Sequence, residues 1–192
     1  YKLPRESILL NASHTHCGPE VRAGKGAFMG MPPEYQTKVG PYAQWFQERI
    51  VETIGKAIGN MQPARITFSS ANPTPFAVCR RFPTDKGIVY RSTPSSYYTG
   101  GPRDDTVPVL KATGADGEIL AILFGYACHP ITMSFDYYCG DYPGYAQQYI
   151  QEAFPGTVAM FMQGCGGQLV PNARFQIEYA QGHGRSLADA VR

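Results

Sequence analysis

Apolar residues at Tyr42, Phe46, Ile50, Ile54, Ile58 and Met61 recur at spacings of four and three, the stripe of an amphipathic helix. Pro41 suits its first turn and Pro63 stops it. From Ala64 to Ser70 the period drops to two, as in a half-buried strand. Thr106 to Ala112 and Glu118 to Ala127 are apolar runs joined across Thr113 to Gly117, where Ala-Asp-Gly supplies a turn, and they read as a hairpin. A helix is expected from Asp141, its cap, with Pro143 in the first turn and Tyr145, Tyr149, Ile150 and Phe154 as its apolar face. Val158 to Met162 is a further strand, Ile8-Leu9-Leu10 a short buried one, and Phe175 to Val191 a weaker helical pattern. Strands alternating with helices give an α/β class, a mixed sheet flanked by helices.

The segments between these elements hold the chemistry. Asn11 to Pro19, Ala127 to Pro130 and Gln163 to Asn172 each follow a strand, and α/β folds bind ligands at the carboxyl ends of strands. On an extended chain His14 and His16 share a face, and a His-x-His pair is a common way to offer nitrogen ligands to zinc. A hydrogen-bonded pair in a turn is the alternative reading of the same two residues. His129 stands at the end of a second apolar strand, as His14 and His16 do after the first. The glycine turn Gly164-Cys165-Gly166-Gly167 could cradle a phosphate, but it lacks the Gly-Lys-Ser/Thr ending of a P-loop. His183 reads as a surface or packing residue. Glu20 to Pro33, rich in Gly, Met and Pro, reads as a loop covering the histidine pair, and Asn72 to Asp105 as a long functional loop with Arg80 near its start.

Composition narrows the classes. With 192 residues, 43% of them hydrophobic, the chain can bury the core of one domain. A net charge of +2 with no basic stripe gives no footprint for nucleic acid. No apolar run reaches the roughly 20 residues of a membrane helix, and Tyr1 to Glu6 lack the apolar core of a signal peptide. Five cysteines, an odd number without C-x-x-C spacing, do not form a disulfide framework and read as small residues fitted to tight turns.

His14-Thr15-His16-Cys17-Gly18-Pro19 resembles the H-T-H-S-G-P signature of the neutral/alkaline non-lysosomal ceramidase family, with Cys17 in place of serine. Cys79-Arg80 is similar to its N-R element. Ala127-Cys128-His129-Pro130-Ile131-Thr132-Met133 is similar to A-x-H-P-T-x-M, with a one-residue offset at the threonine. Gly140-Asp141-Tyr142-Pro143-Gly144-Tyr145-Ala146 matches G-D-x-x-G-Y-A, and Gln163 to Asn172 matches part of Q-G-x-x-G-D-x-S-P-N. The order is the family's.

That resemblance implies a zinc amidase that cleaves the N-acyl bond of ceramide or a ceramide-like lipid. His14 and His129 fall on metal-ligand positions, His16 and Arg80 on positions beside the substrate amide. The family completes its metal shell with a glutamate and a tyrosine from farther downstream. Residues 1–192 are therefore expected to be one ceramidase-like catalytic domain, truncated at both ends, and the family's secreted or periplasmic setting is left open. Gln168 stands where the family has aspartate, and Val170 where it has the serine that acts on the amide. Two readings follow: a hydrolase working through the metal, with His16 moving the proton and Arg80 stabilising the oxyanion, or a non-catalytic relative that binds metal or lipid.

Overall fold

The computed structural model describes residues 1–25, 30–73, 75–90, 101–135 and 138–192. Its contacts divide into two compact units, Tyr1–Ile8 with Pro19–Pro63, and Leu9–Gly18 with Ala64–Arg192. The first holds a 3-10 turn, Arg5–Ser7, and helix α1, Pro33–Gly59. This helix starts a full two turns before the expected position. Pro33 takes the first helical position, where a missing N–H costs nothing, and Pro41 lies inside the helix instead of opening it. Residues 26–29 of the expected covering loop lie outside the described residues.

The second unit is built on a four-stranded mixed sheet. Strand β1, Arg65–Ala71, pairs antiparallel with β5, Val107–Thr113, and β5 pairs antiparallel with β6, Ile119–Tyr126. The β5–β6 connection is the expected hairpin, closed by the Gly114 N–H to the Glu118 carbonyl (2.9 Å), with Gly117 at φ 85°. Strand β7, Val158–Gln163, lies parallel to β6, in register Tyr126 against Gln163. Between them runs α2, Asp141–Ala153, the crossover that parallel strands require, and α3, Ile177–Val191, closes the chain. Val109, Ile122, Phe124 and Ala159 turn to one face of the sheet, where Ala146 and Ile150 of α2 and Leu187 and Ala188 of α3 complete the core. Gly184 permits the helix crossing: a Cβ there would lie 2.6 Å from Tyr145 Cβ and 2.9 Å from the Tyr142 carbonyl oxygen.

The long connection after β1 carries more order than its composition suggests. It contains β2, Ala77–Cys79, and a hairpin of β3, Arg81–Thr84, with β4, Gly87–Tyr90. β2 pairs with β8, Leu169–Pro171, so that Val78 faces Val170. Position 74 and the stretch 91–100 of the expected loop lie outside the described residues.

Two local expectations are corrected. Ile8-Leu9-Leu10 forms no strand, and Leu9 and Leu10 are 82% and 84% exposed. Their link to the open β7 edge is made by a side chain instead of a backbone ladder: Asn11 accepts from the Gln163 N–H (2.9 Å) and donates to the Gln163 carbonyl (3.1 Å). Asp141 does not cap α2 from outside. It is the first helical residue, at φ 55°, and its buried carboxylate accepts N–H bonds from Met133 (2.8 Å) and Tyr142 (2.6 Å), tying the loop after His129 to the helix start. Burial raises its pKa.

Candidate metal centre

Parallel pairing of β6 and β7 sends their two following loops out side by side at one end of the sheet. The Gly164 N–H bonds the Tyr126 carbonyl (3.0 Å), extending the ladder by one step, and then two glycines let the loops touch. A Cβ at Gly164 would lie 3.2 Å from Ala127 Cα, and one at Gly166 would lie 2.8 Å from the Cys128 carbonyl carbon. The glycine turn is therefore explained by close packing against the loop that carries His129. Gln163 reinforces it, its side-chain amide donating to the Cys128 (3.1 Å) and Gly164 (3.0 Å) carbonyls.

His129 is buried and doubly held. Its backbone N–H bonds the Leu169 carbonyl (2.9 Å), and its ring Nδ1 lies 3.3 Å from the Gly166 carbonyl. A carbonyl only accepts, so Nδ1 carries the proton and Nε2 keeps its lone pair for a ligand. Burial, with smaller opposing and reinforcing contributions, pushes the His129 pKa down to about 4, so the ring is neutral near pH 7, the state a metal requires.

The histidine pair arrives from the 9–18 segment without a strand's alternation. His14 sits at φ 61°, a left-handed conformation that histidine tolerates better than most residues, and the chain turns there. The His16 N–H reaches the Pro130 carbonyl (3.2 Å), next to His129. Thr15 Oγ1 donates to the Cys139 carbonyl (2.9 Å) and accepts from the Cys17 N–H (3.3 Å). The outcome is three imidazoles in one cluster, with centroids 5.2 Å apart for His14–His16, 4.6 Å for His14–His129 and 5.2 Å for His16–His129. One ligand atom from each lies within 4.8 Å of the others, His14 and His16 on the open side and His129 buried. An all-nitrogen set suits zinc, copper, nickel or iron better than magnesium or calcium, so these residues fit a zinc ion.

Arg80 follows β2 directly, and the β2–β8 pairing sets it against the glycine turn. Its backbone N–H bonds the Gln168 carbonyl (2.9 Å), and its guanidinium donates from Nε (3.0 Å) and Nη2 (2.6 Å) to the Gly167 carbonyl. The guanidinium lies over the Tyr90 ring at 4.8 Å. Arg80 and His129 are thus hung on adjacent carbonyls of one turn.

Arg174 stands in none of the sequence motifs. Its Nε donates to the Ile131 carbonyl (2.8 Å), one residue beyond the carbonyl that holds His16, and its guanidinium lies 4.5 Å from the Phe175 ring centroid. Desolvation, then the charge of His14, Arg174 and Arg80, lowers the pKa of His16. The signal was slight: a lone arginine two residues past Asn172. Gln168 contributes its carbonyl to the Arg80 tie, whereas Val170 is 1% exposed on β8, an apolar side chain with no hydroxyl. His183 is a packing residue, stacked on Phe76 (4.4 Å) and hydrogen-bonded through Nε2 to the Ala173 carbonyl (3.0 Å).

No family model matches the sequence. The fold, however, is similar to that of neutral ceramidase from Pseudomonas aeruginosa, with a TM-score of 0.67 and 19% identity over 94% of this chain and 30% of that one. It is likewise similar to a ceramidase complexed with C2, with a TM-score of 0.68 and 19% identity over 94% and 29% of the two chains. The chain spans less than a third of the length of these structures, and at this identity the likeness establishes a ceramidase-like fold.

Proposed function

We propose that this chain carries part of the active site of a zinc-dependent hydrolase that cleaves the N-acyl amide bond of a ceramide-like lipid. The observation that carries the reading is the convergence of His14, His16 and His129 at the carboxyl ends of β6 and β7, in a ceramidase-like fold. His14 and His129 would hold the metal, with His129 fixed by the Gly166 carbonyl so that its free nitrogen is the ligand. Zinc, when bound, polarises a carbonyl and acidifies water. His16, on the open side, is placed to take and return a proton, and its lowered pKa keeps it a neutral base near pH 7. Arg80 places a fixed positive charge beside the cluster, where charge develops on the amide oxygen.

A second reading, a non-catalytic metal- or lipid-binding relative, is favoured by Val170, which replaces a hydroxyl by a buried apolar group. One experiment separates the two: metal content and turnover of a fluorescent ceramide measured together on the longest available form of the protein. Bound zinc with turnover that is lost on chelation supports the hydrolase, zinc without turnover supports the binding relative, and no zinc at all rejects both metal-based readings.

A further inference from the structure

The cysteine that departs from the family signature is not isolated. Cys17, one residue after His16, is 3% exposed, and its carbonyl accepts the N–H of Cys139 at 3.0 Å. Residues joined by one backbone hydrogen bond of this kind hold their Cα atoms roughly 5 to 6 Å apart, inside the range of about 4.4 to 6.8 Å that a disulfide spans. The two side chains enter the same small apolar cluster, with Met133, Ala180 and Tyr145. Each sulfur already accepts one N–H, Cys17 from Phe135 (3.4 Å) and Cys139 from Asp141 (3.3 Å). The Cys17 thiol is also among the groups that raise the pKa of Cys139, behind burial, which places the two sulfurs within electrostatic reach.

We propose that Cys17 and Cys139 form a reversible disulfide by exchange with a small-molecule disulfide. The half-buried Cys139 thiol gives up its proton and attacks the small disulfide, forming a mixed disulfide and releasing a small thiolate that takes up a proton to leave as a thiol. Cys17 loses its proton and attacks the Cys139 sulfur, releasing the second small thiol. Two protein thiols are oxidised, one small disulfide is reduced to two thiols, and the bond stitches the loop bearing His14 and His16 to the start of α2. Cys79 and Cys128 are buried elsewhere in the core and take no part.

Cys165 is exposed and competes for reagent, so the test is made in a Cys165→Ser background. That background carries four of the five cysteines. After incubation with oxidised glutathione, thiol titration in denaturant should count two free thiols, and intact mass should show an internal disulfide without a glutathione adduct. The internal bond should vanish in both single variants: Cys139→Ser should keep three free thiols and take up no glutathione, whereas Cys17→Ser, which places at position 17 the serine of the related signature, should stop at a glutathione adduct on Cys139. Four free thiols or a stable glutathione adduct with both cysteines present, or an internal bond that survives Cys139→Ser, would overturn the proposal, and the unsubstituted pair decides it even if a serine variant folds poorly.

Discussion

At the scale of single residues, His129 comes to the cluster from the loop after β6, and His14 and His16 come from the 9–18 segment. His129 follows an apolar strand as expected, and its burial and tie to Gly166 follow from that strand's parallel neighbour. His14 and His16 were expected to converge by strand alternation, yet the chain turns at His14 instead, because the backbone of 9–18 bonds to loops and not to a strand. Roles can be separated by substitution in the longest form of the protein. His14→Ala should lose metal and activity together, while His16→Ala should keep the metal and lower kcat by about 10²- to 10⁴-fold. Metal analysis with kinetics checks this, and metal loss in His16→Ala would make His16 a ligand. The pH dependence has a definite sign. With a folded pKa of about 4 against about 6.5 unfolded, His129 binds fewer protons folded than unfolded in between, so metal-free stability falls as pH drops through that window. Discounting for partial solvent access, roughly 1 kcal/mol should be lost between pH 7 and pH 5. Urea midpoints at the two values test it, and a flat midpoint contradicts it. His183, its pKa also lowered by burial, adds in the same direction, and Asp141, raised by burial, acts in the opposite one.

At the scale of elements, period and punctuation located β1, the β5–β6 hairpin, β7, α2 and α3 closely, since each is either a periodic stretch or an unbroken apolar run set off by glycine, proline or a turn. Boundaries failed where proline can serve two purposes. Pro33 and Pro41 both suit a first turn, and the longer helix uses the earlier one. The short strands β2, β3, β4 and β8 were missed because three or four residues hold no readable period, although the β2–β8 pair is what brings Arg80 to the glycine turn. Close approach, likewise, is invisible without coordinates. Gly166→Ala should push the turn off the Cys128 backbone and lower metal affinity by about 10-fold or more, whereas at Gly167, where a new Cβ meets nothing within 4 Å, alanine should leave binding unchanged. Calorimetric zinc titration of the two variants makes the comparison. In the helix pair, Gly184→Ala trades a propensity gain of about 1 kcal/mol against overpacking of roughly 1 to 3 kcal/mol at backbone atoms of α2 that cannot swing aside. The net should be destabilising, seen as a lower urea midpoint with unchanged slope.

At the scale of the whole second unit, the sheet has two apolar faces, and helices cover one of them. Cross-strand register sets Phe68, Leu110, Leu123 and Met160 in one row and Ile66, Ala112, Ala121 and Val158 in the next, all on the face opposite the core and none of them charged. The sequence carried this too. Ile119 to Phe124 and Val158 to Met162 are unbroken apolar runs of the kind found in strands buried on both sides, while the alternation of β1 predicted one buried face that instead stays open, with Phe68 72% exposed. Among the described residues, no helix is long and apolar enough to cross a membrane. The two faces should respond oppositely to substitution. Phe124→Ala removes a fully buried ring packed against Phe161 at 5.5 Å and should cost about 3 to 5 kcal/mol. Phe68→Lys replaces an exposed ring on an edge strand, and it should change stability by no more than about 0.5 kcal/mol while lowering any self-association through the exposed apolar face. Denaturation midpoints measure the first quantity and light scattering against concentration the second. A loss at Phe68 as large as that at Phe124 would mean the outer face is already packed in solution, and the open sheet would then be the wrong description of this unit.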